Sequence, residues 1–426
     1  MAAAWHHWGM AGVSIHLRNA SPGLLALPWL EPLAAWREDA VALRHVAVGP
    51  SRHLVRFVDA DGVLYALKEL PWRVARREYQ VLRELEARQL PAVRAVGLVE
   101  QPDSGNGVLV TEFLAHAWQY RRLFQRLPGR SIHRDRLLDA MAGLLVDLHR
   151  AGVFWGDCSL ANTLFCRDGQ LLQAFLVDAE TSEIHPELSD GQRRLDLGIL
   201  VENVAGDLAD LAAREGRDPA EIDEEIAAAE GVAARYQFLW DELHHEETFA
   251  DDEYYKVDKR VRRLNELGFA IDELHLERAG GERHRVRLKV CVANRRFHAT
   301  ELRRLTGLEV GEGQATILLN DLRGHQSRLE RERPGSVPDQ VAGARWLAEL
   351  FRPGVAAAAR ALGPDADPVQ AYCDLLEVRW LLSERAGRDI GTFAALRALR
   401  ARRPPPDSAA ELAAAEPATG NFPSVR

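Results

Sequence analysis

The chain has 426 residues, of which 47% are hydrophobic; this is enough for two or three ordinary cores and excludes a fibrous or wholly disordered protein. Its net charge of -9 argues against a surface built throughout for nucleic acid or anionic membrane, although a local basic patch stays open. The four cysteines, Cys158, Cys166, Cys291 and Cys373, form no C-x-x-C pair, so neither a zinc knuckle nor a disulfide framework is expected and a reducing compartment fits best.

Met1 to Gly12 lacks the basic start and cleavage site of an export signal, and no run of about 18 apolar residues occurs, so the expectation is a cytoplasmic chain without a membrane span. Residues 1–43 read as an N-terminal extension: Pro22, Pro28 and Pro32 interrupt short apolar pieces before a short helix at 33–37. From residue 44 the pattern turns to strand, with β-favouring runs at 45–48, 54–58 and 63–68 and turns at Gly49-Pro50 and 59–62, an antiparallel meander. Tyr79, Leu82 and Leu85 at helical spacing predict a helix over 76–89, and 107–114 returns to strand, so 44–115 reads as an α+β lobe.

Residues 116–253 read as a second, helical lobe. Leu137, Leu138, Met141, Leu144, Leu145 and Leu148 form one stripe that predicts a buried helix over 134–150, closed by Gly152. A hairpin follows, 163–166 and 174–177 around the turn Arg167-Asp168-Gly169, and then a helix from Gly191 through Val201. Composition changes from strongly acidic over 207–253 to basic over 255–333, which marks a further domain over 254–402. That domain is expected to be mostly helical, with one strand at 285–292 and helices at 341–351 and 368–385. Residues 403–426, opened by Pro404-Pro405-Pro406, read as a disordered tail.

The chemistry is concentrated in Trp155-Gly156-Asp157-Cys158-Ser159-Leu160-Ala161-Asn162 and the later Val177-Asp178. Phosphoryl transfer needs one carboxylate to orient the attacking hydroxyl and an amide plus another carboxylate to hold Mg²⁺ against the ATP phosphates. Asp157, Asn162 and Asp178 supply that set in that order. Lys68 at the end of a strand, with Glu78 early in the next helix, adds a phosphate-binding lysine held by a glutamate. Glu84 competes for that pairing; Glu78 is preferred because the apolar positions after it then face the sheet. Each of these residues alone is better read as a loop cap, a turn residue or a solvated charge. Together they reverse that reading. Glu180 is either a further metal ligand or a solvated loop acid.

Other clusters carry less. His6-His7 and His244-His245 lack the i, i+4 spacing of a helical zinc pair and read as surface residues. Lys259-Arg260-Val261-Arg262-Arg263 reads as a solvated helix face, or as a dock for the acidic 207–253 segment. Cys158, beside Asp157, has no resolving cysteine near it in sequence.

The order of Lys68, Glu78, the strand ending in Thr111-Glu112-Phe113-Leu114, Leu148-His149, Gly156-Asp157 with Asn162, and Val177-Asp178 resembles the protein-kinase-like fold. Gly156-Asp157-x-x-x-x-Asn162 and Val177-Asp178-Ala179-Glu180 are similar to its lipopolysaccharide (Kdo) kinase-like and RIO-like branches. The whole chain, including residues 185–193, resembles a bacterial family of unknown function described as lipopolysaccharide-kinase-like. The resemblance implies an α+β, two-lobed kinase-like fold with an additional mostly helical C-terminal domain. It also implies ATP and Mg²⁺ as cofactors, Gly49 in the phosphate loop, and backbone groups of Glu112 and Leu114 at the adenine.

Three departures narrow the class. Gly49 is the one glycine of the phosphate-loop segment, Trp155-Gly156 replaces the usual His-Arg, and Ala179-Glu180 replaces the usual Phe-Gly. The path from Asp178 to Asp196, which resembles the aspartate anchoring the catalytic loop, leaves little room for a regulated activation segment. These features favour an atypical kinase acting on an unidentified hydroxyl acceptor, whether a sugar, a lipid-linked group or another small hydroxyl substrate. Two alternatives stand beside it: a pseudokinase that binds nucleotide or recruits a protein partner through its C-terminal domain, and nucleotidyl transfer on the same scaffold.

Overall fold

The computed structural model describes residues 8–10, 13–18, 21–46, 52–101, 104–126, 131–250, 253–278, 285–332, 335–364, 366–401, 403–405 and 408–415. It is an α+β structure that divides into two compact units, neither of them a single stretch of chain: 1–121, 144–165 and 174–230 form one, and 122–143, 166–173 and 231–426 the other.

In the first unit an antiparallel sheet runs in the order Trp8–Met10, Val13–Leu17, Ala95–Gln101, Asn106–Glu112, Val63–Pro71, Val55–Ala60, Leu43–Arg44. The expected meander is therefore present, with its first strand at Leu43–Arg44. The adjoining 47–50, which include Gly49, lie outside the described residues. Ala95–Gln101 is an added strand, almost wholly buried. Residues before 44 also contribute: Val13–Leu17 pairs with Ala95–Gln101, and Trp29, Leu33 and Trp36 join the core over Val58, Leu67, Val99 and Val110. The expected helix at 33–37 is a single 3₁₀ turn, Leu33–Ala35. Trp29 and Trp36 meet edge to face with centroids 5.4 Å apart, a geometry favoured by the ring quadrupoles.

The Trp72–Ala87 helix buries Tyr79, Leu82 and Leu85 together with one charged residue, Glu78. Ile132–Arg150 is the predicted buried helix, and Asp190–Arg214 begins with a capping box between Ser189 and Gln192, which satisfies two otherwise orphaned donors. Between these helices His149 Nε2 lies 3.0 Å from Asp196 Oδ2, both side chains without solvent exposure.

The second unit contains an antiparallel sheet, Glu247–Ala250, Arg285–Val292, Ile271–Arg278, and a helical core around Leu302, Leu318, Leu322, Trp346, Leu375 and Val378. The hairpin turn 167–169 belongs to this unit. Arg167 makes a two-point ion pair with the buried Asp374. Asp168 accepts from Gly313 N and Gln314 N, both at 2.8 Å, and so caps the Glu312–Glu332 helix. Gly169 exchanges backbone hydrogen bonds of 2.9 Å with the Gln370 side chain. A Cβ on Gly313 would stand 2.1 Å from the Asp168 carbonyl oxygen, so the cap requires glycine there. Within the expected tail, Ala409–Ala415 is a helix with Ala410 in the core; the alanine-rich stretch gains through packing what its composition did not suggest.

Replacing Asp168 with Ala leaves two helix-terminal N–H groups buried without acceptors and should cost about 2 kcal/mol. Chemical denaturation of the variant checks this, and an unchanged midpoint would refute the capping role. The His149 pair predicts a pH effect. Burial lowers the His149 pKa even against Asp196, so the folded ring stays neutral while the unfolded chain takes up a proton below about pH 6.5. Stability from this group is present above that pH and declines as pH falls. His149→Gln should flatten the decline in urea midpoint between about pH 6.5 and 5; equal slopes for variant and wild type would contradict it.

Candidate active site

Lys68, on the Val63–Pro71 strand, donates to both Glu78 carboxylate oxygens at 3.3 and 3.2 Å and to Asp178 Oδ2 at 2.7 Å. Glu84, the rival acid, accepts instead from Arg88. Glu78 is fully buried and also accepts from Ala179 N at 3.3 Å. Burial pushes its carboxyl up to about 7, against the pull of Lys68. For Lys68, burial works in the lowering direction, but the Glu78 and Asp178 carboxylates more than offset it and hold the ammonium above its usual value.

Backbone bonds at the end of the Leu171–Leu176 strand carry the chain to Asp178. Leu176 N donates to Pro91 O, Val93 N to Leu176 O, and Val177 N to Asn162 O, at 3.0, 3.0 and 3.1 Å. Glu180 N then turns back to Asp178 Oδ1 at 3.1 Å. The Glu180 carboxylate stands 3.3 Å from His53 Nε2 and 4.0 Å from Lys68 Nζ, so it faces the lysine cluster rather than open solvent alone. It also borders an open cleft of about 470 Å³ with Arg73, Val74, Arg77, Thr181 and Glu183. Arg77, which lines that cleft, donates to Ser182 O and Glu183.

Asn162 Nδ2 donates to Asp157 Oδ2 at 2.9 Å and to Asp157 O at 3.1 Å. With the amide nitrogen engaged, the carbonyl oxygen is the Asn162 atom that can face a cation. Trp155, in the position where the resemblance leads one to expect histidine, is fully buried. Its indole donates to Asp178 O at 3.3 Å, and its carbonyl accepts from Thr181 Oγ1 and Ser182 Oγ at 2.9 and 3.2 Å. One side chain thus ties the Asp157 loop to the Asp178 segment. Gly156 has φ +81°, a left-handed conformation that glycine adopts without steric cost.

Asp196 fastens the start of this loop. Its carboxylate accepts from Trp155 N at 2.7 Å, Gly156 N at 2.8 Å and Cys158 Sγ at 3.1 Å, in addition to its contact with His149. Burial would raise this carboxyl, but these donors outweigh it and hold the pKa below the usual value. Burial pushes the Cys158 thiol well above its ordinary range, which leaves it a packing residue rather than a reactive one.

The structure therefore brings Lys68, Glu78, Asp178 and Glu180 together and sets Asp157 beside Asn162. Gly49 is not among the described residues. Glu112 pairs with Arg94 at 2.9 Å, and the amides of Glu112 and Phe113 are used within the sheet; Leu114 follows just past the Asn106–Glu112 strand. Sequence reading missed Asn203, which reaches Cys158 O at 3.0 Å and Asp157 Oδ1 at 3.4 Å. It also missed Asp207, which accepts from Tyr120 at 2.9 Å and Ala161 N at 3.3 Å. Their spacing of seven and eleven residues after Asp196, one helix face, was the available signal.

The lipopolysaccharide kinase (Kdo/WaaP) family matches residues 61–206, and a domain of unknown function, DUF4032, matches residues 238–402. Among solved structures, "WaaP in complex with acyl carrier protein" is similar at 22% identity, covering 47% of this chain and 89% of that chain, with a TM-score of 0.31. No curated protein matches the chain. No helix among the described residues is long and apolar enough to cross a membrane. Residues 61–206 are thus similar to the kinase-like lipopolysaccharide kinase (Kdo/WaaP) family, and residues 238–402 to a domain of unknown function.

Proposed function

We propose that the protein is an ATP- and Mg²⁺-dependent phosphotransferase, an atypical kinase that acts on a hydroxyl of a sugar or lipid-linked acceptor. The observation that carries this reading is the meeting of Lys68 with Glu78 and Asp178, tied through the Trp155 indole to the loop whose Asp157 carboxylate is oriented by Asn162. Lys68 binds phosphate oxygens and Glu78 keeps the ammonium in place. Asp157 accepts the proton of the attacking hydroxyl. Asn162 and Asp178 fit a hard divalent cation as oxygen donors, with Glu180 as a further carboxylate. Nucleotide phosphates and water would complete the shell of such an ion. When bound, Mg²⁺ neutralises charge on the transferring phosphoryl group. As the kinase-like resemblance implies, backbone groups of Glu112 and Leu114 would meet the adenine.

The supporting family match is to kinases, and the short path from Asp178 to Asp196 favours a small acceptor over a docked, phosphorylation-controlled one. ATP with Mg²⁺ should raise the thermal midpoint of the wild type, and Asp178→Asn should lose the part that depends on Mg²⁺. At a ligand concentration about 100 times Kd the stabilisation is about 2.7 kcal/mol. If no condition shifts the wild type, both phosphoryl and nucleotidyl transfer fall and an interaction module remains. Asp157→Asn should keep the ATP-dependent shift while lowering transfer about 10²- to 10⁴-fold. Mass spectrometry of products formed from ATP and cell extract checks this, and a nucleotide adduct in place of a phosphate would overturn the kinase reading.

A further inference from the structure

We infer that Asn203 is a positioning residue for Asp157, acting with Asn162 to fix the catalytic carboxylate from both sides. This rests on the phosphotransferase reading of Asp157. Asn162 Nδ2 holds Oδ2 at 2.9 Å, while Asn203 Nδ2 lies 3.4 Å from Oδ1 and 3.0 Å from Cys158 O. An amide nitrogen carries two hydrogens, so Asn203 serves both acceptors at once. A carboxylate has about four acceptor sites, and two amide contacts leave room for the acceptor's hydroxyl proton. Because Asp157 is exposed, no packing holds its rotamer, and the two amides supply that restraint. Both donors are neutral, so orientation is imposed without an ion pair that would withdraw the carboxylate from its work.

The rest of the same helix face explains why Asn203 is well placed. Asp196, Asn203 and Asp207 recur at spacings of seven and four on the Asp190–Arg214 helix, which puts them on one face. Asp196 takes the amides of Trp155 and Gly156, Asn203 takes the carbonyl of Cys158, and Asp207 takes the amide of Ala161. Asp207 is itself oriented by Tyr120 Oη at 2.9 Å. One rigid helix thus grips the start, middle and end of the loop, and its middle grip alone also touches the reacting side chain.

The test follows hydrolysis of Mg²⁺–ATP, with water as acceptor, in wild type, Asn203→Ala, Asp157→Asn and the double variant, each checked for its thermal midpoint. Asn203→Ala should lower kcat about tenfold with KM for ATP unchanged, and in the Asp157→Asn background it should have no further effect. A second, turnover-free arm uses Asn203→Asp, which turns a like charge toward Asp157. It should lower the midpoint, and Asp157→Asn added to it should restore the loss. Wild type no faster than Asp157→Asn overturns the phosphotransferase reading and this inference with it. Wild type faster, but with Asn203→Ala unchanged, additive with Asp157→Asn or altered only in KM, overturns this inference alone.

Discussion

A carboxylate removed from water has to be met by donors on nearly every side, and Asp196 meets that demand with the loop it organises and with His149 on the Ile132–Arg150 helix. It has no solvent exposure, and it accepts from two consecutive backbone amides, a thiol and a histidine ring. An unsatisfied charge at this depth would cost several kcal/mol, so the loop conformation and the helix position are mutually enforced. Gly156 provides the left-handed turn that lets both amides point at the same carboxylate. Asp157 emerges next to that turn, its direction set before any substrate is involved.

The Lys68 cluster works by a different balance. One ammonium faces two carboxylates within hydrogen-bonding distance, with Glu180 at 4.0 Å, so the group carries an excess of negative charge in a poorly solvated place. Burial falls most heavily on Glu78, and the rise of its carboxyl to about 7 is the result. Cation and phosphate binding at such a cluster, as the proposed reaction requires, would change which groups hold protons as well as which hold ligands. Trp155 joins this cluster to the Asp157 loop through a single indole hydrogen bond to the Asp178 carbonyl. That contact gives a physical reason for tryptophan at a position where histidine is usual.

The meetings of Lys68 with Glu78 and Asp178, and of Asp157 with Asn162, could be anticipated from the sequence because the proposed chemistry asks for those residue types in that order. Asn203 and Asp207 were not, since they act through backbone and side-chain contacts that form only once the helix lies beside the loop. The fold shows the same division. Ala95–Gln101 is buried on both faces and so lacks the alternation that marks a strand. Ile271–Arg278 fails for the opposite reason: Glu273, Leu274, His275, Leu276 and Glu277 are all exposed, and its identity comes from pairing with Arg285–Val292. Leu43–Arg44 is too short to carry any pattern. Packing and pairing decided these elements, and neither is written in local periodicity.

The turn Arg167-Asp168-Gly169 bears on what could be separated in this chain. Read locally it is a hairpin turn, and any charged or polar residues would serve. Every one of the three is nevertheless matched to a distant partner: Asp374, the start of the Glu312–Glu332 helix, and Gln370. Truncation after residue 253 would remove all of these partners. It would take from Arg167, whose side chain is only 8% exposed in the intact chain, both its counter-ion Asp374 and the surroundings contributed by 254–426. The strands leading into and out of that turn begin just after Asn162 and end just before Asp178. A boundary placed where composition changes, near Tyr254, therefore cuts between residues that depend on one another, although no sequence motif spans the cut. The two family matches meet the chain as separate segments, but the physical units do not follow that order: 122–143 and the hairpin turn within 166–173 group with 231–426.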